Sequence, residues 1–340
     1  MVTFILTEIA SKKPGLTERL YSEKLYPVIA GNLSKVSFFI PFSVDDLFYM
    51  TLILFSILLI ILLAFRKISL TKTGKIVLNI VAICYTLFYF LWGFNYFRPN
   101  LNQRLNLEIR QPNLDEFLDI FRDLVIQTNK TYTSFDKFEK VEIDSLVEQS
   151  YDKLAPVLGL NYPLGSRYAK DITFSRFFAK AGISGYYGPF FNEVHVNTFN
   201  LPVEYPFVLA HEKAHQFGIT SEAEANFYAW LVCSQSSSDK LQYSANLVVL
   251  QYFANQGYQL EGFSEIVQQL DEPVKNDLRR IREHWTQLRN EKIDRAAAKI
   301  NDAYLKTNKV EKGIEDYHGV VKFVMEFELD SAFQKKWNLK

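Results

Sequence analysis

FVLAHEKAHQFGITSEAEAN, Phe207 to Asn226, is the stretch on which the reading of this 340-residue chain turns. Pro206 suits the first turn of a helix, where its missing N–H costs nothing. Gly218 suits the position just past a helix end. A helix is therefore predicted from Pro206 to Phe217. Residues four apart lie on one helical face, so His211 and His215 project two imidazoles to the same side. That spacing fits two adjacent vertices of a tetrahedral zinc with bonds of about 2.0–2.1 Å. Glu212 stands one step around the helix. There it can take a proton from a zinc-bound water, whose pKa zinc lowers to about 7.

One Zn2+ ion in such a site needs a third protein ligand and an open position. No third histidine follows closely, so a carboxylate is expected, and Glu222 and Glu224 are the candidates. Ser221-x-x-Glu224 reads as a capping box for a second helix, which gives Glu224 a structural task. Glu222 is the expected ligand and Glu224 the alternative. Asn226, four residues beyond Glu222, is placed to hold a ligand from behind. Two of the five histidines (195, 211, 215, 284 and 318) are spent on this motif. The only cysteines are Cys84 and Cys233, too few for a cysteine-based metal site.

Composition narrows the surroundings. The 38 basic residues balance 38 acidic ones, and no basic stripe is interleaved with aromatics, so no nucleic-acid partner is expected. The 29 Phe and 19 Tyr fit an apolar core plus membrane segments. Leu47 to Phe65 runs 19 residues without charge, and Ile76 to Phe97 is a second uncharged run. Each is long enough to cross a hydrocarbon core of about 30 Å. The second ends in Phe90, Trp92, Phe94, Tyr96 and Phe97, an expected interfacial aromatic belt. The loop between them carries Arg66, Lys67, Lys72 and Lys75 and no acid, which predicts a cytoplasmic loop. Everything after residue 98 is then expected outside. This gives a multi-pass membrane protein with its catalytic domain on the outer side, in the periplasm or at the cell exterior. The lipid bilayer and a peptide or protein substrate are the expected partners.

Four segments follow. Residues 1–45 form an N-terminal extracytoplasmic or interfacial segment and 46–97 a two-helix transmembrane hairpin. Residues 98–112 read as a linker, with Pro99 and Pro112 interrupting helix, and 113–340 as the metallohydrolase domain. In that domain Leu114 to Gln127 and Val141 to Leu158 have helical apolar spacing. Ile172 to Asn197 reads as a small sheet, with glycines and Pro189 between β-prone runs. Asn192 to Asn197 is either a plain strand or an edge strand able to bind an extended peptide. Glu272 to about Asn308 reads as one long charged helix with a solvated face, which includes His284. A helix near Tyr317 to Phe327 closes the chain. The fold class is mainly α with a small β-sheet, an α+β domain behind two transmembrane helices. Tyr186, Tyr187, His195, Tyr317 and His318 are candidates to polarise a substrate carbonyl.

HEKAH followed by ExEAN resembles the zincin metallopeptidases, in the gluzincin-type arrangement. That resemblance implies a zincin-like domain with His211, His215 and Glu222 as ligands, Glu212 as general base and Asn226 behind them. The interval from His215 to Glu222 is shorter than in most such families. The histidine expected at this distance in metzincins is replaced by Ser221. The whole layout also resembles an uncharacterised family of bacterial membrane proteins. Glu18-Arg19-Leu20-Tyr21-Ser22, Pro41-Phe42-Ser43, the central stretch and Tyr317 to Val321 carry it. Members often have one more N-terminal span, which makes the apolar Met1 to Ala10 the expected stub of one. The function expected is a membrane-anchored zinc metallopeptidase that hydrolyses peptide bonds. The alternatives are a non-catalytic zinc-binding or assembly protein, or a zinc amidase acting on a cell-wall amide.

Overall fold

Few charges interrupt the N-terminal part of the chain, and it folds almost wholly as helix. The computed structural model describes residues 2–134, 137–161 and 167–339, so Met1 and Lys340 lie outside the described residues. Helices α1 (Val2–Lys12) and α2 (Pro14–Thr17), a π-helical stretch over Glu18–Leu25, and α3 (Tyr26–Phe38) come first. They lead into α4 (Val44–Ala64) and α5 (Leu70–Leu91), both long and apolar enough to cross a membrane. Of its 21 residues α4 buries Asp45, Asp46 and Leu59, and α5 buries Tyr89. Their apolar side chains thus face outward, unlike those of a core helix. α4 starts before the uncharged run because Ser43 caps it, accepting from Asp46 N at 2.8 Å.

The second uncharged run does not stay helical to Phe97. Trp92 leaves the helix at φ −156°, and Gly93–Phe97 forms a 3₁₀ turn. The expected interfacial belt is corrected accordingly. Trp92, Phe94 and Phe97 are buried in a cluster with Tyr21, Tyr26 and Tyr89. The linker expectation fails as well. Asn100 caps α6 (Leu101–Leu105), and Leu101, Leu105 and Leu107 are buried. Arg98 pairs with Glu18 at 2.6 Å and donates to Gly218 O at 3.1 Å.

Beyond it, Asn113 and Glu116 form a capping box for α7 (Leu114–Lys130), which buries Phe117, Phe121, Leu124 and Val125. α8 (Lys140–Leu154) precedes β1 (Lys170–Asp171), α9 (Ser175–Lys180), β2 (Gly185–Gly188) and β3 (Glu193–Val196). The sheet order is β1-β3-β2, with β1 parallel and β2 antiparallel to β3. β3 is therefore central, with both edges taken. The edge-strand reading of Asn192 to Asn197 is corrected, and β2 offers its far edge instead. α10 (Tyr205–Gln216), α11 (Glu222–Ser234) and α12 (Asp239–Gly257) build the core, followed by α13 (Phe263–Gln268). The expected single charged helix is two, α14 (Glu272–Leu288) and α15 (Glu291–Thr307). Asn290 breaks it by accepting from Lys292 N and Ile293 N, both at 3.2 Å. A 3₁₀ segment (Gly313–Gly319), α16 (Val320–Leu329) and α17 (Ser331–Trp337) complete a mainly helical fold with one small sheet.

Candidate metal centre

α10 buries every residue but Val208, so each polar side chain on it needs a partner. Lys213 finds Glu148 at 2.5 Å, Asp144 at 3.1 Å and Arg167 O at 2.8 Å. Burial opposes its charge, yet the two carboxylates hold its pKa above the ordinary lysine value. Gln216 donates to Asn192 O at 2.7 Å and so fixes the end of α10 against the sheet. From below, Trp92 Nε1 donates to His215 O at 2.9 Å, and Tyr26 donates to Gln216 O at 2.8 Å. Gly218 then reverses the chain at φ +81°, where a Cβ would meet Asn95 and Tyr26 at 3.0 Å. Ser221 caps α11, accepting from Glu224 N at 3.3 Å. The next residue, Glu222, is thereby delivered from the first turn of α11 to the face of α10.

His211 Nε2 lies 3.1 Å from Glu222 Oε2 and 3.1 Å from His215 Nε2, and His215 Nε2 lies 3.4 Å from Glu222 Oε2. Donors on a tetrahedron with 2.0–2.1 Å bonds sit about 3.4 Å apart. His215 Nδ1 donates to Ile219 O at 2.7 Å, which leaves its Nε2 with a lone pair toward the cluster. A ring nitrogen lone pair, a second imidazole and a buried carboxylate converging at this spacing could hold a metal ion. Burial opposes ionisation of Glu222, but the imidazoles outweigh it and hold its carboxyl far below the usual range. Burial also opposes a charge on His215, but Glu222 and Glu212 raise its pKa to about 9.

Burial pushes Glu212 up to about 7, against the attraction of both imidazoles. Gly185 of β2 lets this carboxylate approach, since a Cβ there would sit 2.7 Å from Glu212 Oε1. The centre opens into a cleft of about 1310 Å³ lined by β2, α10, α14, α15 and the 3₁₀ segment. Tyr317 stacks over His211, with ring centroids 6.5 Å apart and planes inclined by 13°. Asp316 places it, accepting from Ser221 Oγ at 2.7 Å and Ala223 N at 3.3 Å at the start of α11. Burial, with Glu222 and Glu212 nearby, raises the Tyr317 hydroxyl well above its ordinary pKa, so it stays a proton donor.

Other expected residues go elsewhere. Glu224 does not reach back to Ser221. Its carboxylate accepts from Leu101 N at 2.9 Å and pairs with Arg104, so the capping box is replaced by a charge-assisted pair. Asn226 donates to Tyr252 Oη at 3.2 Å and Tyr317 O at 3.4 Å, so it steadies Tyr317 rather than a cluster donor. Tyr187 lines the cleft, but its hydroxyl donates away, to Asn192 Oδ1 at 2.6 Å. His195 is fully buried on the other face of the sheet, 2.7 Å from Ser43 Oγ and stacked on Tyr186, which itself pairs with Asp46. Neither can polarise a carbonyl at the cluster. His318 lines the cleft, edge-on to Tyr252. His284 is no solvated residue, since its Nε2 donates to Phe199 O at 2.6 Å.

A family model described as "Protein of unknown function (DUF3810)" matches residues 21–325. The chain belongs to this family. Neither the curated proteins nor the solved structures contain a match to it. In this DUF3810 chain three supports of the centre, Trp92, Gly185 and Asp316, have no part in the site as the sequence presents it. Only Asp316 carries a sequence signal, as the acid directly before Tyr317. The α4 junction is a further one. Glu193 Oε2 accepts from Val44 N at 2.8 Å and Asp45 N at 3.0 Å, and Thr173 N donates to Asp46 at 2.8 Å. Ser43, Asp45 and Asp46 were its sequence signal.

Proposed function

We propose that the protein is a membrane-anchored zinc peptidase with a zincin-like catalytic domain outside the cytoplasmic membrane. One observation carries the reading. His211 Nε2, His215 Nε2 and Glu222 Oε2 lie within 3.4 Å of one another, beside a buried Glu212, in an open cleft. A zinc ion held by these three would supply Lewis acidity to a water and to the scissile carbonyl. Glu212 would take a proton from the attacking water and hand it to the leaving amine. A carboxyl whose pKa is raised to about 7 suits both halves of the transfer. Tyr317 donates toward the oxygen that gains charge. The free edge of β2 offers backbone groups to an extended substrate chain.

The anchoring half rests on α4 and α5, whose apolar side chains point away from the protein. The α4–α5 connection and the start of α5 carry Arg66, Lys67, Lys72 and Lys75 without an acid, which supports a cytoplasmic loop. Glu212→Gln tests the catalytic half. The variant should keep its zinc and lose about 10²–10⁴-fold in peptide hydrolysis. Undiminished hydrolysis at full zinc content would remove Glu212 from the chemistry and sink this mechanism.

A further inference from the structure

We propose, building on the peptidase reading, that the substrate is a membrane-spanning polypeptide. It would be cut in an apolar segment just outside the bilayer. The first argument is continuity between the cleft and the apolar hairpin. α5 ends at Leu91, and Trp92 and Tyr96 line the cleft. Trp92 Nε1 touches His215 O at 2.9 Å, so one side chain separates a cluster donor's backbone from the end of a membrane-length helix. The other outer end of the hairpin abuts the cleft too. Pro189 lines it, and the adjoining Phe190 packs on Phe48 of α4, with ring centroids 4.7 Å apart.

The second argument is the chemistry of the walls. α15 turns Ile293, Ala296, Ala297 and Ile300 into the cleft, a stripe at helical spacing that is not buried in any core. Ile300 is 71% exposed, and Phe177 of α9, on the cleft lining, is 58% exposed. Large apolar side chains gathered along a cleft mark a surface that is covered in use. At about 1310 Å³ the cleft exceeds the roughly 300–1,000 Å³ of small-molecule sites and has room for several residues of extended chain. An apolar trough that begins at the mouth of a membrane hairpin suits a chain delivered by the bilayer.

The test uses the full zinc-loaded chain in phospholipid nanodiscs and four synthetic probes. One is a single-span helix with an apolar flank, the second the same helix with a Ser/Asn-rich flank, the third the apolar flank alone, and the fourth the apolar flank carried on a lipid anchor. Cleavage is read by mass spectrometry. The spanning probe with the apolar flank should be cut on the order of tenfold or more faster than any other probe. Ile300→Asp and, separately, Phe177→Asp should shrink the preference for the apolar over the polar flank. If the free flank is cut as fast as the spanning one, or both variants leave the preference unmoved, this substrate class is wrong while the peptidase reading stands. Faster cutting of an apolar flank carried on a lipid anchor would likewise overturn the choice of a spanning substrate. If none of the probes is cut, the peptidase reading fails and takes this inference with it.

Discussion

Glu222 and Glu224 sit two positions apart on α11, and side chains at that spacing leave a helix on different sides. Glu222 turns to the imidazoles of His211 and His215, while Glu224 turns to Leu101 N and the buried Arg104. The second glutamate fastens residues 98–107 onto the core, and it makes no contact with the cluster. Glu224→Ala leaves Arg104 buried without its carboxylate, a loss of about 3–5 kcal/mol. Thermal or denaturant unfolding should register that loss, while metal analysis of the folded fraction should find zinc retained. A Glu224→Ala protein of unchanged stability that lost its metal would reverse the two assignments.

Among the elements, β3 carries the junction with the α4–α5 hairpin. Glu193 accepts from Val44 N and Asp45 N and pairs with Lys170, so the start of α4 is capped by the sheet. Burial works against ionisation of Glu193, but His195, Lys170 and Asp45 N outweigh it and lower its pKa below the ordinary 4.5. A depressed carboxyl contributes stability above its unfolded value and loses it as pH falls through the folded one. Hydrogen exchange at β3 should therefore speed up as pH drops from about 6 to below about 4.5, once corrected for intrinsic rates. Glu193→Gln should flatten that acid response, and an equally steep response in the variant would place its origin elsewhere. The same elements explain what the sequence made legible. α10 and the start of α11 rest on local signals, namely Pro206, Gly218 and Ser221, and could be read directly. The fate of Trp92, the central position of β3 and the packing of residues 98–112 depend on partners distant in sequence. The break at Asn290 was local, a side chain accepting from the two N–H groups beyond it, yet a continuous charge pattern hid it.

At the scale of the molecule, the α4–α5 hairpin and the domain that follows it share one structure. Trp92 shares a buried cluster with Phe97 and donates to the backbone of α10, Ser43 and Asp46 bond to the sheet side, and Arg98 ties Glu18 to the Gly218 turn. If α4 and α5 cross the membrane with their basic loop inside, the domain is held against the outer surface. A reporter fused after Lys340 should be active outside the cytoplasmic membrane, and activity confined to the cytoplasm would invert the topology. The proposed zinc centre is made by His211, His215 and Glu222. Its most direct test is the zinc content per chain of the purified full-length protein, with Glu212→Gln and Glu222→Ala alongside. The wild type and Glu212→Gln should each carry about one zinc, and Glu222→Ala should lose it. A wild-type chain that takes up no zinc, or a Glu222→Ala chain that binds it as tightly, would contradict it.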